Sequence, residues 1–201
     1  MIGRRFDLRM KNGDGVLQRL ASLARDRRGI GAVEFALLAP LLLMLYIGAF
    51  EITVGLSVSK RATRAAGAVA DLVTQQDKPV DKTFLTTMSD VADAIFVPYS
   101  TSNLTLKITG VTLDANAKAK VKWSWQKGGT APYQVNAPVQ VPADLQQANT
   151  FLIHTELSVP HRLMLFMADN LSMDTMSITI KREYFFRPRT GDSVECSNCS
   201  S

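Results

Sequence analysis

The feature of this sequence that most constrains its fold is a long apolar run near the N-terminus. Between Phe35 and Ser59 the only charged residue is Glu51. A helix over this run would be about 37 Å long, which is enough to cross a hydrocarbon core of about 30 Å. The run therefore predicts one membrane-spanning helix, and the chain after it is long enough for one domain of ordinary size.

The positive charge of the chain is concentrated before this run. Residues 1–29 hold eight basic and three acidic side chains, which accounts for the whole net charge of +5. A nucleic-acid-binding domain needs its basic patch on the folded part. The rest of the chain is neutral, so we expect no nucleic-acid partner. A basic segment before an apolar helix is typical of the cytoplasmic flank of an inner-membrane protein.

A glycine and a glutamate stand at the start of the apolar run. Basic residues lead to Gly29, and Glu34 is the fifth residue after it and is followed by Phe35. A carboxylate at the head of a membrane segment is costly and indicates a function. The segment resembles the processing site of type IV pilin-like proteins, which a prepilin peptidase cuts after glycine. The sequence Gly-Ala-Val-Glu-Phe-Ala-Leu-Leu-Ala-Pro at 31–40 is similar to TadE-like pseudopilins of tight-adherence (Tad/Flp) pili.

The resemblance implies a structural minor pseudopilin that is cut between Gly29 and Ile30. Its implied partners are the prepilin peptidase, other Tad pseudopilins, the major Flp pilin and the pilus assembly platform. The N-terminus would be cytoplasmic, the helix would cross the inner membrane once, and the C-terminal domain would be periplasmic. The resemblance leaves open whether the chain enters the fibre.

The chemistry of Glu34 fits this interpretation. Cleavage would free an α-amine on Ile30, and residues 30 and 34 share one face of a helix. The amine could pair with Glu34 of its own chain or of a neighbour, which is the usual way to make a carboxylate tolerable in lipid. Alternatively, Glu34 lies at the headgroup level and favours the positive end of the helix dipole.

Other interpretations of the apolar run are open. It could be an ordinary signal anchor, with Gly29 and Glu34 placed by chance, or a cleaved secretory signal peptide. Small residues at 68–70 resemble a signal-peptidase site. However, a signal peptide needs a short region of little charge before its cut. Three cations intervene instead: Lys60, Arg61 and Arg64.

Two residues within the run carry separate predictions. Pro40 removes a backbone hydrogen bond and is expected to kink the helix. Glu51 is expected either to face a partner helix or to lie near the outer boundary of the bilayer.

After the apolar run, the pattern changes from helical spacing to alternation. The first helix is predicted to continue to residue 76, and a second helix from Asp81 to Phe96. Period-two alternation predicts strands at 104–108, 121–125, 151–159 and 176–186. The predicted turns lie at Gly110, at Gly128 with Gly129, and along a loop from 127 to 150.

Helices followed by strands predict an α+β fold in which an antiparallel sheet packs on helix. This is the plan of pilin-like proteins, with a long transmembrane helix that continues into a small domain. The predicted divisions are a basic cytoplasmic leader at 1–29, a transmembrane and extended helix at 30–76, and a periplasmic domain at 77–190. A polar tail with two cysteines follows at 191–201.

The histidines and tryptophans of the domain do not form a catalytic pattern. His154 and His161 are interpreted as surface residues, on the polar face of a strand and at the start of a turn, because no cluster of metal-ligand residues is near them. Trp123 and Trp125 share one strand face and are expected to pack on the long helix. No enzyme motif is recognised in the sequence, so we expect a non-enzymatic protein without cofactor or metal.

Cys196 and Cys199 are compatible with a disulfide, a redox motif or half of a zinc site. A zinc site needs a second ligand pair, and a thioredoxin-like motif follows a strand and opens a helix. The pair is therefore interpreted as an oxidised structural pair or a site of exchange with a partner subunit. The competing function for the whole chain is a single-pass membrane-anchored periplasmic binding protein that never enters a pilus.

Overall fold

The structure is a computed structural model that describes residues 29–162 and 177–199. The chain divides into two units, one up to Gly48 and one from Ala49 onwards, which are described separately below. The predicted leader lies outside the described residues, except for Gly29.

The first helix, α1, runs over Ile30–Thr74 and contains Pro40. Up to Gly48, most of its apolar side chains are exposed. It is the one described helix long and apolar enough to cross a membrane, as judged by length and composition. So much exposed apolar surface is unusual in water and is expected in lipid. The helix therefore fits a single-pass membrane anchor.

From Val58 onwards, one face of α1 is buried in the hydrophobic core of the domain. Alanine and valine residues line its buried face, and the absence of large side chains lets neighbouring elements approach closely. The members on α1 are Val58, Ala62, Ala65, Ala66, Val69 and Val73.

The second helix, α2, runs over Lys82–Phe96, in close agreement with the prediction. Asp81 begins it, since its carboxylate accepts a hydrogen bond from the backbone N–H of Phe84 at 2.7 Å and satisfies a donor that the helix leaves open. Leu85, Met88, Ala92 and Phe96 bury the apolar stripe of α2 in the same core as α1.

Four strands form one antiparallel sheet in the order β2-β1-β3-β4. Their bounds are Thr105–Leu113 (β1), Ala119–Gln126 (β2), Phe151–Arg162 (β3) and Ser177–Phe186 (β4). One face of the sheet joins the core of α1 and α2, and Trp123 and Trp125 lie buried there as predicted. The predicted α+β fold is confirmed.

The predicted turn at Gly110 is wrong. Gly110 lies inside β1, beside a bulge between Gly110 and Val111. A Cβ atom at this position would overlap the indole of Trp123 and the ring of Phe151. The glycine is therefore explained by the close approach of two aromatic rings rather than by a change of chain direction.

The segment predicted as a polar tail packs on the domain. Val80 pairs with Cys196 through two backbone hydrogen bonds, Val80 N to Glu195 O at 2.8 Å and Ser197 N to Val80 O at 2.9 Å. The indole N–H of Trp123 donates to the carbonyl of Val194 at 2.7 Å. Val194 and Cys199 are buried in the core, so the segment up to Cys199 is part of the domain.

Candidate functional site

The predicted processing segment is accessible where the structure describes it. Gly29 stands immediately before α1, and the space around its Cα is open. Ile30 and Phe35 are 50% and 67% exposed, and Glu34 is exposed as well. An enzyme approaching the bond between Gly29 and Ile30 would meet no obstruction from these side chains.

Glu34 lies one helical turn from Ile30 on the same face of α1. Its exposure leaves the carboxylate available to a group from another molecule. A kink at Pro40 stays a prediction, and α1 is continuous through this residue.

Glu51 is buried within its own chain, and its position relative to the bilayer boundary stays a prediction. Only 7% of this residue is exposed, and it belongs to the unit that contains the sheet. A buried carboxylate is retained where the fold compensates its charge.

The second polar feature lies on the sheet face opposite α1, around His154. This histidine is 7% exposed, stacks on Phe185 at 4.0 Å between ring centroids, and lies between two carboxylates. Its Nε2 atom is 3.4 Å from Glu183 Oε2, and its Nδ1 atom is 4.0 Å from Glu156 Oε2. The surface interpretation of His154 is wrong, because the side chain of Phe185, its partner on the neighbouring strand β4, stacks on its ring.

Tyr133 and Lys107 extend this polar cluster. The Tyr133 hydroxyl donates to Glu156 Oε2 at 2.7 Å and accepts from Lys107 Nζ at 3.3 Å. Burial lowers the pKa of His154, although the charges of Glu156 and Glu183 oppose this shift. Burial and the hydrogen bond to Glu156 raise the pKa of Tyr133.

His161 also differs from its prediction. It lies within β3 rather than at the start of a turn, and it is half-buried. Its Nε2 atom has no hydrogen-bond partner among the described residues.

The cluster around His154 holds no recognisable reaction centre. Within 29–162 and 177–199, no three His, Cys, Asp or Glu side chains are grouped so that they could hold a metal ion. An open groove of about 420 Å³ lies beside the cluster, and its charged lining carries both signs: Lys107, Glu156, Lys181, Arg182 and Glu183. The arrangement is that of a hydrogen-bonded network that supports the outer face of the sheet.

The two cysteines are joined by a disulfide, with 5.6 Å between their Cα atoms. The side chain of Asn198, between them, accepts a hydrogen bond from the backbone N–H of Lys82 at 2.8 Å. The four-residue ring therefore supports the start of α2. The sequence motif alone did not reveal this role, because the contact joins residues 116 positions apart.

Comparison with known families gives a result for the N-terminal helix. Residues 29–71 match the family model described as TadE-like protein, which confirms the resemblance drawn from residues 31–40. The match associates the chain with Tad pilus assembly, in which TadE-like proteins are structural. No curated protein and no solved structure matches the chain.

Proposed function

We propose that this chain, whose residues 29–71 match the TadE-like family, is a structural minor pseudopilin of a Tad (Flp) pilus. A prepilin peptidase removes the leader after Gly29, and α1 anchors the mature chain in the inner membrane with its domain in the periplasm. Its partners are that peptidase, the other Tad pseudopilins, the major Flp pilin and the assembly platform.

The observation that supports this proposal most is the start of the family match. The match begins at Gly29 and includes Glu34, and these two residues define the processing site predicted from the sequence. The accessibility of the segment is consistent with cleavage. A glycine without a side chain also allows close approach to the backbone at the scissile bond.

The exposed part of α1 supports a role in packing with other pilins. Gly48 and Gly55 have open space beside them, which leaves room for close approach of another helix in the membrane. Cleavage creates an amine on Ile30, and the exposed carboxylate of Glu34 can pair with the amine of a neighbouring subunit. Such a pair fixes the stagger of adjacent helices, because the two charges must lie at the same depth.

The test of processing is the mass of the membrane-bound form in cells with and without the prepilin peptidase. We expect the N-terminus at Ile30 when the peptidase is present and at Met1 when it is deleted. Gly29→Leu should block cleavage, whereas the control Gly48→Leu, within α1 and away from the bond, should be cut normally.

Two results would contradict this processing step. One is an intact Met1 N-terminus in cells that contain the peptidase. The other is an N-terminus at Asp71, which would indicate a secretory signal peptide ending at Ala70.

A further inference from the structure

A group of basic side chains lies at the C-terminal end of the apolar run. Lys60, Arg61 and Arg64 follow Ser59 in sequence, but the fold uses them differently. Arg61 serves the domain, since it donates to the Ile95 carbonyl at 2.7 Å and lies over the Tyr99 ring. Lys60 and Arg64 are exposed and share one helix face, because they are four residues apart.

A third cation reaches the same level of α1 from the edge strand β4. Arg182 donates to Ser59 Oγ at 2.5 Å and to Thr63 Oγ1 at 3.0 Å. The carbonyl of Lys181 also accepts from Arg182, at 2.7 Å. All three acceptors are uncharged, and they hold the guanidinium in place without forming an ion pair. Lys60, Arg64 and Arg182 together are called the basic collar.

No carboxylate in the part of the chain that the structure describes forms an ion pair with the basic collar. None of the three residues forms an ion pair there, and the sequence from 52 to 70 contains no Asp or Glu. Like charges held together without a partner repel each other. The cluster is therefore best explained by an anion outside the chain.

The position of the collar indicates which anion this is. Lys60 is the first cation after the apolar run, and helical side chains lean towards the N-terminus of their helix. The side chains of Lys60 and Arg64 therefore lean back towards the membrane-spanning segment. Long basic side chains at such a boundary reach the headgroup phosphates.

We propose that the basic collar binds the phosphate groups of anionic phospholipids in the leaflet nearest the domain. Each cation near an anionic surface raises the affinity roughly fivefold. Lipid contact at the helix and at the edge strand together would fix the height of the domain above the membrane and the face that it turns towards the lipid. This proposal depends on the membrane anchor and not on processing or pilus assembly, so it can fail while the proposed function stands.

The test measures how fast a neutral acylating reagent modifies Lys60 in the full chain. The chain is placed in bilayer discs of phosphatidylcholine, either alone or mixed with phosphatidylglycerol, and peptides are quantified by mass spectrometry. We expect roughly fivefold slower modification of Lys60 in the anionic discs. The exposed Lys78 and Lys82, in and after the turn that follows α1, should react equally in both discs.

Matched variants separate the collar from a general effect of charge. Arg64→Gln should remove much of the protection of Lys60, whereas Lys78→Gln, which loses the same single charge elsewhere, should leave it unchanged. High salt should also restore the reactivity of Lys60 by screening.

Three results would overturn the proposal. One is an equal rate for Lys60 in both kinds of disc. Another is equal slowing of Lys78, which would reflect the bulk properties of the discs. The third is the same slowing of Lys60 by inorganic phosphate in phosphatidylcholine discs, which would show that the collar takes free phosphate rather than lipid.

Discussion

At the scale of single residues, the most consequential side chain is Glu34. Its carboxylate is exposed on a helix whose neighbouring surface is apolar, so it is costly in lipid unless a cation neutralises it. The proposed cation is the amine of Ile30 on an adjacent subunit. This pairing requires that the leader has been removed, which would link processing to assembly.

Glu34→Ala tests this pairing. The isolated subunit should insert as well as before, or better by about 1–3 kcal/mol, because a charge leaves the lipid. Loss of the pair should cost about 3–5 kcal/mol at the subunit contact, so piliation and co-purification with other pseudopilins should fail.

Glu34→Gln keeps the shape without the charge and should also fail. Normal cleavage and membrane localisation are the controls for both variants. Wild-type piliation and co-purification in Glu34→Ala would favour the membrane-anchored binding protein over the pseudopilin.

The packing of two aromatic side chains on the sheet requires a glycine at position 110. Gly110→Ala places a Cβ atom into Trp123 and Phe151, and such overpacking typically costs about 1–3 kcal/mol. Near-ultraviolet circular dichroism of the tryptophans should report a lower unfolding temperature.

Gly67→Ala is the matched control, because Gly67 lies in α1 with open space around it. It should raise stability by about 0.5–1 kcal/mol, since alanine favours helix. An unchanged unfolding temperature in Gly110→Ala would show that the side chains of Trp123 and Phe151 can move apart without loss of stability.

At the scale of elements, the segment after β4 connects parts of the fold that are distant in sequence. Arg189 N donates to Thr74 O at 2.9 Å at the end of α1, and Asn198 supports the start of α2. Val194 receives the hydrogen bond from Trp123 on β2. The segment therefore stabilises both helices and the sheet at once.

The disulfide should stabilise this connection. Replacing both cysteines, with Cys196→Ser and Cys199→Ser, should lower the free energy of unfolding by about 2 kcal/mol, as expected for closing so short a loop. Hydrogen exchange should become faster at Val80 and at the first turn of α2.

Reductant is the control for this prediction. It should reproduce the loss in the wild-type chain and have no further effect on the double variant. Equal stability of the two chains under oxidising conditions would argue against a stabilising role for the disulfide.

At the scale of the whole molecule, the distribution of charge predicts the topology. The leader carries the net charge of the chain, and it outweighs the cations after the apolar run under the positive-inside rule. A reporter that is active only in the periplasm should therefore be active when fused after Ser201. If a reporter that works only in the cytoplasm is active at that position, the predicted orientation is wrong.

The sequence by itself determined the long apolar N-terminal helix, the resemblance to TadE-like proteins, the second helix and the α+β class. These features depend on local composition and periodicity, which act over a few turns of helix or a few residues of strand. The long apolar run and the spacing of Gly29 and Glu34 needed no knowledge of distant contacts.

Only the tertiary structure decided the burial of Glu51 and His154, the position of Gly110 inside a strand, and the packing of the C-terminal segment. His154 lies at a position where the alternating pattern of β3 predicts a polar, exposed side chain. In the structure, Phe185 of β4 stacks on its ring. Glycine is typical of turns, yet Gly110 lies within β1, where the rings of Trp123 and Phe151 leave no room for a side chain. The outcomes for His154, Gly110 and the C-terminal segment depend on contacts between residues far apart in the chain, which local pattern does not encode.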